Sequence, residues 1–280
     1  MTEALDALGR TAVGMALVRA GESRRPDRLF DDPYASAFAA AMPGAFAALA
    51  GEHGRGGGPG GGVGAAFAVH GAVRTRFFDD LLLAAARDGC GQVVLLAAGL
   101  DARAFRLDWP AGTRLFEIDL PDVLDMKGPV LGARGAVARC ERTVVRADLR
   151  GDWPARLRAA GFDPAARTSW LAEGLLIYLS RAEAERLLAD VGTLSAAGSR
   201  LAFEHGAVAG GALARAAALP AMAPYASLWK GGVGADADRR LAAHGWTPRF
   251  HPLAVVAEGY GRPLPDAATG GFLTAIREPV

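Results

Sequence analysis

The run Val93-Val94-Leu95-Leu96 passes directly into Ala97-Ala98-Gly99-Leu100-Asp101, so an apolar β-type stretch opens onto a turn of small residues; the next apolar stretch ends on an acidic pair, Glu117 and Asp119. Backbone nearly free of side chains can approach a ligand closely, and a carboxylate at the tip of the neighbouring strand can accept hydrogen bonds from ribose hydroxyls. This order of parts is that of a nucleotide-type cofactor site. Two more acids, Asp148 and Glu173, close later apolar stretches. Each residue also has a structural alternative. Small residues after a strand serve helix packing, and Asp119 and Asp148 both stand where a helix cap could be needed, before Pro121 and before Asp152-Trp153. Their shared location at successive strand ends favours the ligand.

The elements that must hold these residues follow from periodicity and punctuation. Strands are expected at Gln92–Ala98, Arg114–Asp119, Thr143–Asp148, Ser169–Glu173, Arg200–His205, Phe250–Ala257 and Phe272–Arg277, with helices between them at Ala102–Leu107, Pro121–Leu131, Trp153–Ala160 and Arg181–Ala197. Strands separated by helices imply a largely parallel sheet covered on both faces, with ligands beyond the carboxyl ends of its strands. Upstream, helices are expected over Leu5–Ala20, over Asp27–Ala50 and from Phe67 to near Gly89. Between the first two, Arg19, Arg24, Arg25 and Arg28 form a basic cluster that reads chiefly as solvated surface. Residues 51–64 are a glycine-rich loop without the strand-before, helix-after setting of a phosphate loop, so a Walker-type site is rejected. The expected organisation is an N-terminal helical cap over residues 1–90, a core over 91–280, and a cap insertion near 206–234.

With 280 residues, 51% of them hydrophobic, the chain can bury a large core. Lys plus Arg is 31 and Asp plus Glu is 30, and the formal charge of +1 gives no reason to expect nucleic acid or an anionic membrane as partner. Two cysteines, Cys90 and Cys140, provide no disulfide framework and no zinc site, so a reducing cytoplasm is the expectation and no metal is expected. The acidic start Met1-Thr2-Glu3-Ala4-Leu5-Asp6 lacks a secretory pattern, and no apolar run approaches the ~20 residues needed to span a bilayer. The oligomeric state is left open.

The stretches QVVLLAAGLDARAFRL (92–107), LFEIDLPDVLDMK (115–127), ADLR (147–150) and AEGLLIYL (172–179) resemble, in order, the leucine carboxyl methyltransferase family, in its bacterial branch of S-adenosylmethionine-dependent methyltransferases. RPDRLFDDPYA (25–35), RTRFFDD (74–80), LAAHGW (241–246) and YGRPLP (260–265) extend the resemblance over nearly the whole chain. It implies a Rossmann-like class I methyltransferase fold, α/β with a seven-stranded, mostly parallel sheet whose final hairpin adds an antiparallel strand. It also implies S-adenosylmethionine as cofactor. Ala97, Ala98, Gly99 and Asp101 would pass beside its methionine part, with Asp119 and the adjoining Leu120 at the ribose. Asp148 and Leu149 would frame the adenine. Glu173 would face the methionine ammonium, and Arg74 would face its carboxylate or that of a substrate. Glu117, two positions from Asp119 on the same strand face, competes for the ribose, while the family pattern favours Asp119. Arg74 could otherwise be a surface residue beside Asp79 or Asp80. The family usually carries Gly where Ala97 stands, so a methyl should restrict the cofactor's approach there.

Methyl transfer from a sulfonium is an in-line displacement with a neutral leaving group, so the enzyme supplies alignment and a dry pocket. A carboxylate acceptor arrives ionised and needs only an orienting group; a hydroxyl acceptor benefits from a base. His205, closing an expected strand on the ligand edge, is the candidate base, and Tyr178 the candidate orienting group; packing is the competing role for each. No role is expected for His53, His70, His244 or His251. The stretch from Gly206 to Gly234, with Met222, Pro224, Tyr225 and Trp229, offers an apolar lining for a small acceptor, and bacterial relatives of this kind suit O-methylation of small molecules in specialised metabolism. A protein C-terminal carboxylate ranks second. A non-catalytic cofactor-binding protein is a further alternative that Ala97 supports, and a dinucleotide oxidoreductase is opposed by the incomplete G-x-G-x-x-G.

Overall fold

Near-continuous apolar runs mark strands covered on both faces, and Gln92–Leu96 (β1) and Thr168–Ala172 (β4) are buried at every position. In the computed structural model, which describes residues 7–42, 63–206, 228–264 and 270–279, these strands lie side by side at the centre of a seven-stranded sheet. The others are Arg114–Asp119 (β2), Glu141–Arg146 (β3), Arg200–His205 (β5), Trp246–Pro252 (β6) and Gly271–Arg277 (β7). Their order is β3-β2-β1-β4-β5-β7-β6. Only β7 runs antiparallel to its neighbours. The order reverses direction between β1 and β4, and the crevice beyond their carboxyl ends is where such sheets bind ligands.

Strand alternation divides the core. On one face Val94, Leu96, Phe116, Trp170 and Phe203 pack with residues of Trp153–Ala159 (α6), Arg181–Thr193 (α7) and Ala237–Ala243 (α8). On the other, Val93, Leu95, Leu171 and Phe272 pack with residues of Ala7–Ser23 (α1), Ala35–Ala40 (α2), Val63–Arg87 (α3) and Leu253–Gly259 (α9). The remaining helices are the short Arg103–Arg106 (α4) and Pro121–Ala133 (α5), which begins on proline. The start of α7 is held by a reciprocal box, in which Glu183 N–H donates to Ser180 Oγ at 3.3 Å and Ser180 N–H to Glu183 Oε2 at 2.7 Å.

Several boundaries differ from expectation. β3 stops at Arg146, so Asp148 stands in the turn beyond it. β1 ends at Leu96 because the chain turns left-handed at Ala97. The strand expected at Phe250–Ala257 is two elements: β6 runs Trp246–Pro252 and the Leu-Ala-Val-Val-Ala run that follows is helix α9. Leu253 and Ala257, four apart, are buried, whereas Val255 is 63% exposed, which is helical rather than alternating burial. α8 was not anticipated. The helix expected over Asp27–Ala50 reduces, within the described residues, to α2; Asp32 Oδ1 stops the preceding turn by accepting the backbone N–H groups of Tyr34 and Ala35 at 3.1 Å each. The glycine run 56–62, His53, Leu5, Met222, Pro224 and Tyr225 lie outside the described residues. No helix among the described residues is long and apolar enough to cross a membrane.

Candidate active site

The turn after β1 is built from backbone. Ala97 has φ +54° and Gly99 φ +49°, Ala98 N–H donates to Ile118 O of β2 at 3.0 Å, and Gly99 N–H donates to Asp119 Oδ2. The other Asp119 oxygen accepts Leu120 N–H at 2.7 Å. Burial pushes the Asp119 carboxyl up, against the pull of these two N–H groups. No ion pair reaches Asp119 among the described residues, so a desolvated carboxylate with two neutral donors keeps lone pairs for further donors. That is the requirement of a ribose diol. A β-carbon at Gly99 would stand 3.3 Å from the Ala12 side chain, so α1 lies directly over the turn. Arg19 fastens it there, donating from Nη2 to Leu100 O at 2.7 Å and from Nε to Asp32 Oδ2 at 2.8 Å. Of the basic cluster, Arg24, Arg25 and Arg28 are exposed as expected, but Arg19 is buried.

A continuous ion network occupies the ends of β4 and β5. Arg74 Nε donates to Glu173 Oε1 at 2.8 Å and its Nη1 to Glu204 Oε1, while Gly174 N–H donates to Glu204 Oε2. Arg103 Nη1 donates to Glu173 Oε2 at 2.7 Å and to Asp101 Oδ2, its Nε to Asp79 Oδ1 at 2.6 Å, and Arg106 takes both Asp79 oxygens. Burial alone would raise the Glu173 carboxyl; Arg103 and Arg74 override it and hold it at about 2. Asp101 is likewise lowered against its burial, chiefly by Arg103. Burial lowers Arg74 but Glu204 and Glu173 more than restore it, so it stays charged. Three guanidiniums are linked to four carboxylates, and the network is one charge negative. A cofactor with a cationic sulfur and a zwitterionic amino acid end has the complementary charge.

The structure thus brings Arg74, Glu173, Asp101 and the Ala97–Gly99 turn to one end of the sheet, with Asp119 beside them. Arg74 is 8% exposed and pairs with neither Asp79 nor Asp80, which rules out the surface alternative. Glu117 does not compete for the ribose: it is wholly buried, with Oε2 accepting from Lys127 Nζ and Arg142 Nη2 at 2.7 Å each. Asp148 stands apart, half-exposed, its carboxylate held by Arg150 Nε and Nη2, and Arg150 pulls its pKa down. Leu149 packs on the core edge. An open depression of about 420 Å³ lined by Leu120, Pro121, Ala147, Asp148 and Arg156 adjoins them.

His205 is not brought to the ion network. It follows Glu204 on β5, and consecutive strand residues face opposite ways; its ring meets Phe203 and Phe250 edge-on at 6.4 and 6.1 Å, and burial lowers its pKa. Tyr178 ends a single 3₁₀ turn, Leu176–Tyr178, stands five residues past Glu173, and is half-buried. Sequence reasoning passed over Glu204, Arg103 and Asp79. The alternation within Phe203-Glu204-His205 could have placed Glu204 on the face of Ala202 and β7's Phe272, although nothing local names Arg74 as its partner. No group of three or more potential metal ligands occurs among the described residues.

Comparison with known proteins gives the family and the fold. The leucine carboxyl methyltransferase family profile matches residues 12–192. A protein of Parafrankia sp. (strain EAN1pec), provisionally named an S-adenosyl-L-methionine-dependent methyltransferase, is 51% identical over 273 residues, 96% of this chain and 87% of its own. One of the same name from Streptomyces coelicolor is 46% identical over 281 residues, 95% of this chain and 94% of its own. Among solved structures, a methyltransferase so named provisionally from Thermobifida fusca superposes with a TM-score of 0.53 at 18% identity, covering 84% of this chain and 89% of that one. A DUF574 family protein from Streptomyces avermitilis superposes with 0.59 at 14% identity, covering 96% and 97%. Both share the fold.

Proposed function

The chain belongs to the leucine carboxyl methyltransferase family and is an S-adenosylmethionine-dependent methyltransferase, and from that premise we propose that it methylates an oxygen atom of a small molecule. The observation that carries the reading is the negative ion network at the ends of β4 and β5, with Asp119 beside it, which complements a sulfonium cofactor. The cofactor supplies a methyl group on a leaving sulfur that needs no proton. The chain's own residues then bind, orient and exclude water. Asp119 and Leu120 take the ribose, the Ala97-Ala98-Gly99 turn and Asp101 the methionine backbone, Glu173 its ammonium and Arg74 its carboxylate. Asp148 and Leu149 flank the adenine, for which Asp148 must exchange its Arg150 contact. Tyr178 orients the acceptor.

A small acceptor suits the cover over the turn. α1 is tied to Leu100 through Arg19 and packs with α2 and α3 on the β1 side of the sheet, so the N-terminal helices act as a cap. The free Cys90 and Cys140 fit a reducing, cytoplasmic setting, and the acceptor fits specialised metabolism. The test is transfer from methyl-labelled S-adenosylmethionine to a panel of small acids, phenols and alcohols, with protein substrates in parallel. Label in small-molecule ester or ether is expected. Label confined to nitrogen, carbon or protein termini overturns the reading.

A further inference from the structure

His70 and Arg74 are four residues apart on α3 and therefore share a helical face, with β-carbons ~5–6 Å apart. The His70 ring lies parallel to Phe272, 4° between planes and 6.4 Å between centroids, and Phe272 pairs in register with Glu204. The imidazole thus stands one turn beyond Arg74, over the ligand end of β5 and β7, with Arg74, Glu204 and Glu173 as the charged groups acting on it. Neither ring nitrogen makes a hydrogen bond to a described residue. The carboxylates there are engaged: Glu204 and Glu173 hold Arg74, and Arg103 holds Asp101 and Asp79.

The same network bears on the acceptor. Arg74, Arg103 and Arg106 are each paired with at least one carboxylate. The single surplus negative charge is offset by the sulfonium cofactor. An acceptor carboxylate would add an uncompensated charge in a buried place, which is strongly unfavourable, whereas a neutral hydroxyl would not. We propose that His70 is the catalytic base for a neutral hydroxyl acceptor, a phenol or alcohol, rather than the carboxylate the family's name suggests; this rests on the methyl-transfer reading above. In the step, the acceptor O–H proton passes to the free ring nitrogen of His70 as the oxygen bonds the methyl carbon. The methyl–sulfur bond breaks with its electron pair left on sulfur, and the imidazolium returns its proton to solvent. Burial, reinforced by Arg74 and opposed by Glu204 and Glu173, lowers the His70 pKa to about 4. The ring is therefore in its basic form at every ordinary pH, and negative charge developing on the acceptor oxygen favours its protonation in the transition state.

The experiment uses the full chain with labelled S-adenosylmethionine, aromatic phenols and alcohols, and the matching carboxylic acids, with cofactor binding read separately by calorimetry. The expected result is base-stable ether from the hydroxyl probes. His70→Ala and His70→Asn should lower kcat about 10²–10⁴-fold while cofactor affinity stays within about threefold. Added imidazole should partly restore His70→Ala, and the deficit with a phenol should shrink as pH rises toward its pKa of about 10, where it arrives ionised. Label entering only carboxylates, wild-type turnover in both variants, or a deficit constant with pH and unrescued by imidazole overturns the assignment. Absence of cofactor binding in the unmodified chain overturns the methyltransferase premise instead, and the calorimetry separates the two failures.

Discussion

Ala97 is the non-glycine residue with positive φ among the described residues, and it sits at the first bend of the turn after β1, proposed above to pass the cofactor. A left-handed alanine costs about 1–2 kcal/mol, and the looser unfolded chain of a glycine returns about 0.4–1 of that. Ala97→Gly is therefore expected to raise stability by roughly 0.5–1 kcal/mol in a denaturant titration and to tighten cofactor binding by calorimetry. Asp119 makes the opposite case. Asp119→Asn keeps the shape but removes the charge that a ribose diol bonds to, and a loss of about 10- to 100-fold in cofactor affinity is expected from hydrogen bonds to a charged group. Because burial raises the Asp119 carboxyl above 3.8, affinity in the unmodified protein should fall on acidification sooner than for an exposed aspartate, and the Asn variant should lack that decline. The places of Ala97, Gly99, Asp119 and Glu173 just at or beyond strands were legible in the sequence because an apolar run followed by small or acidic residues is a local pattern. His70 was not, since a lone histidine on a helix carries no signal until the helix is docked.

The four-residue helix α4 ties three elements together. Its Arg103 joins α3 through Asp79, the turn after β1 through Asp101 and the end of β4 through Glu173. Removing a buried charge from such pairs costs about 3–5 kcal/mol, so Arg103→Met should lower the unfolding free energy from a denaturant titration by that amount. Arg103→Lys should not restore it, lacking the planar fork that reaches three carboxylates. The network also sets an acid limit. Glu173 is held at about 2 against an ordinary 4.5, so the stability it contributes is fully present above about pH 4.5 and is lost as pH falls toward about 2, measurable as a drop in melting temperature across that window. The helical start at Pro121 was readable from capping chemistry alone. α9 was misread because Leu253-Ala-Val-Val-Ala is apolar enough for a buried strand, and only its docking against α3 selects burial four residues apart.

For the molecule as a whole, the mostly parallel sheet and its switch point put Asp101, Asp119, Glu173 and Glu204 at one edge, and a site of that charge should distinguish cofactors. Saturation with S-adenosylmethionine at a hundred times its Kd is expected to stabilise the protein by about 2.7 kcal/mol, seen as a rise in melting temperature, whereas NADP should give no shift. The amino-acid order determined what depends on near neighbours: where most strands lie, most helix starts, the small-residue turn and the carboxylates that follow it. Tertiary structure alone decided the partners. Arg74 and Glu204 are 130 positions apart and Arg103 and Glu173 are 70 apart, and they meet because β4 lies beside β1 while α3 crosses the same face. It also decided between Glu204 and His205. One residue of β alternation sends them to opposite faces of the sheet, and only the assembled fold shows which face α3 covers, because that choice is made by packing across the chain and not by any residue's own propensity.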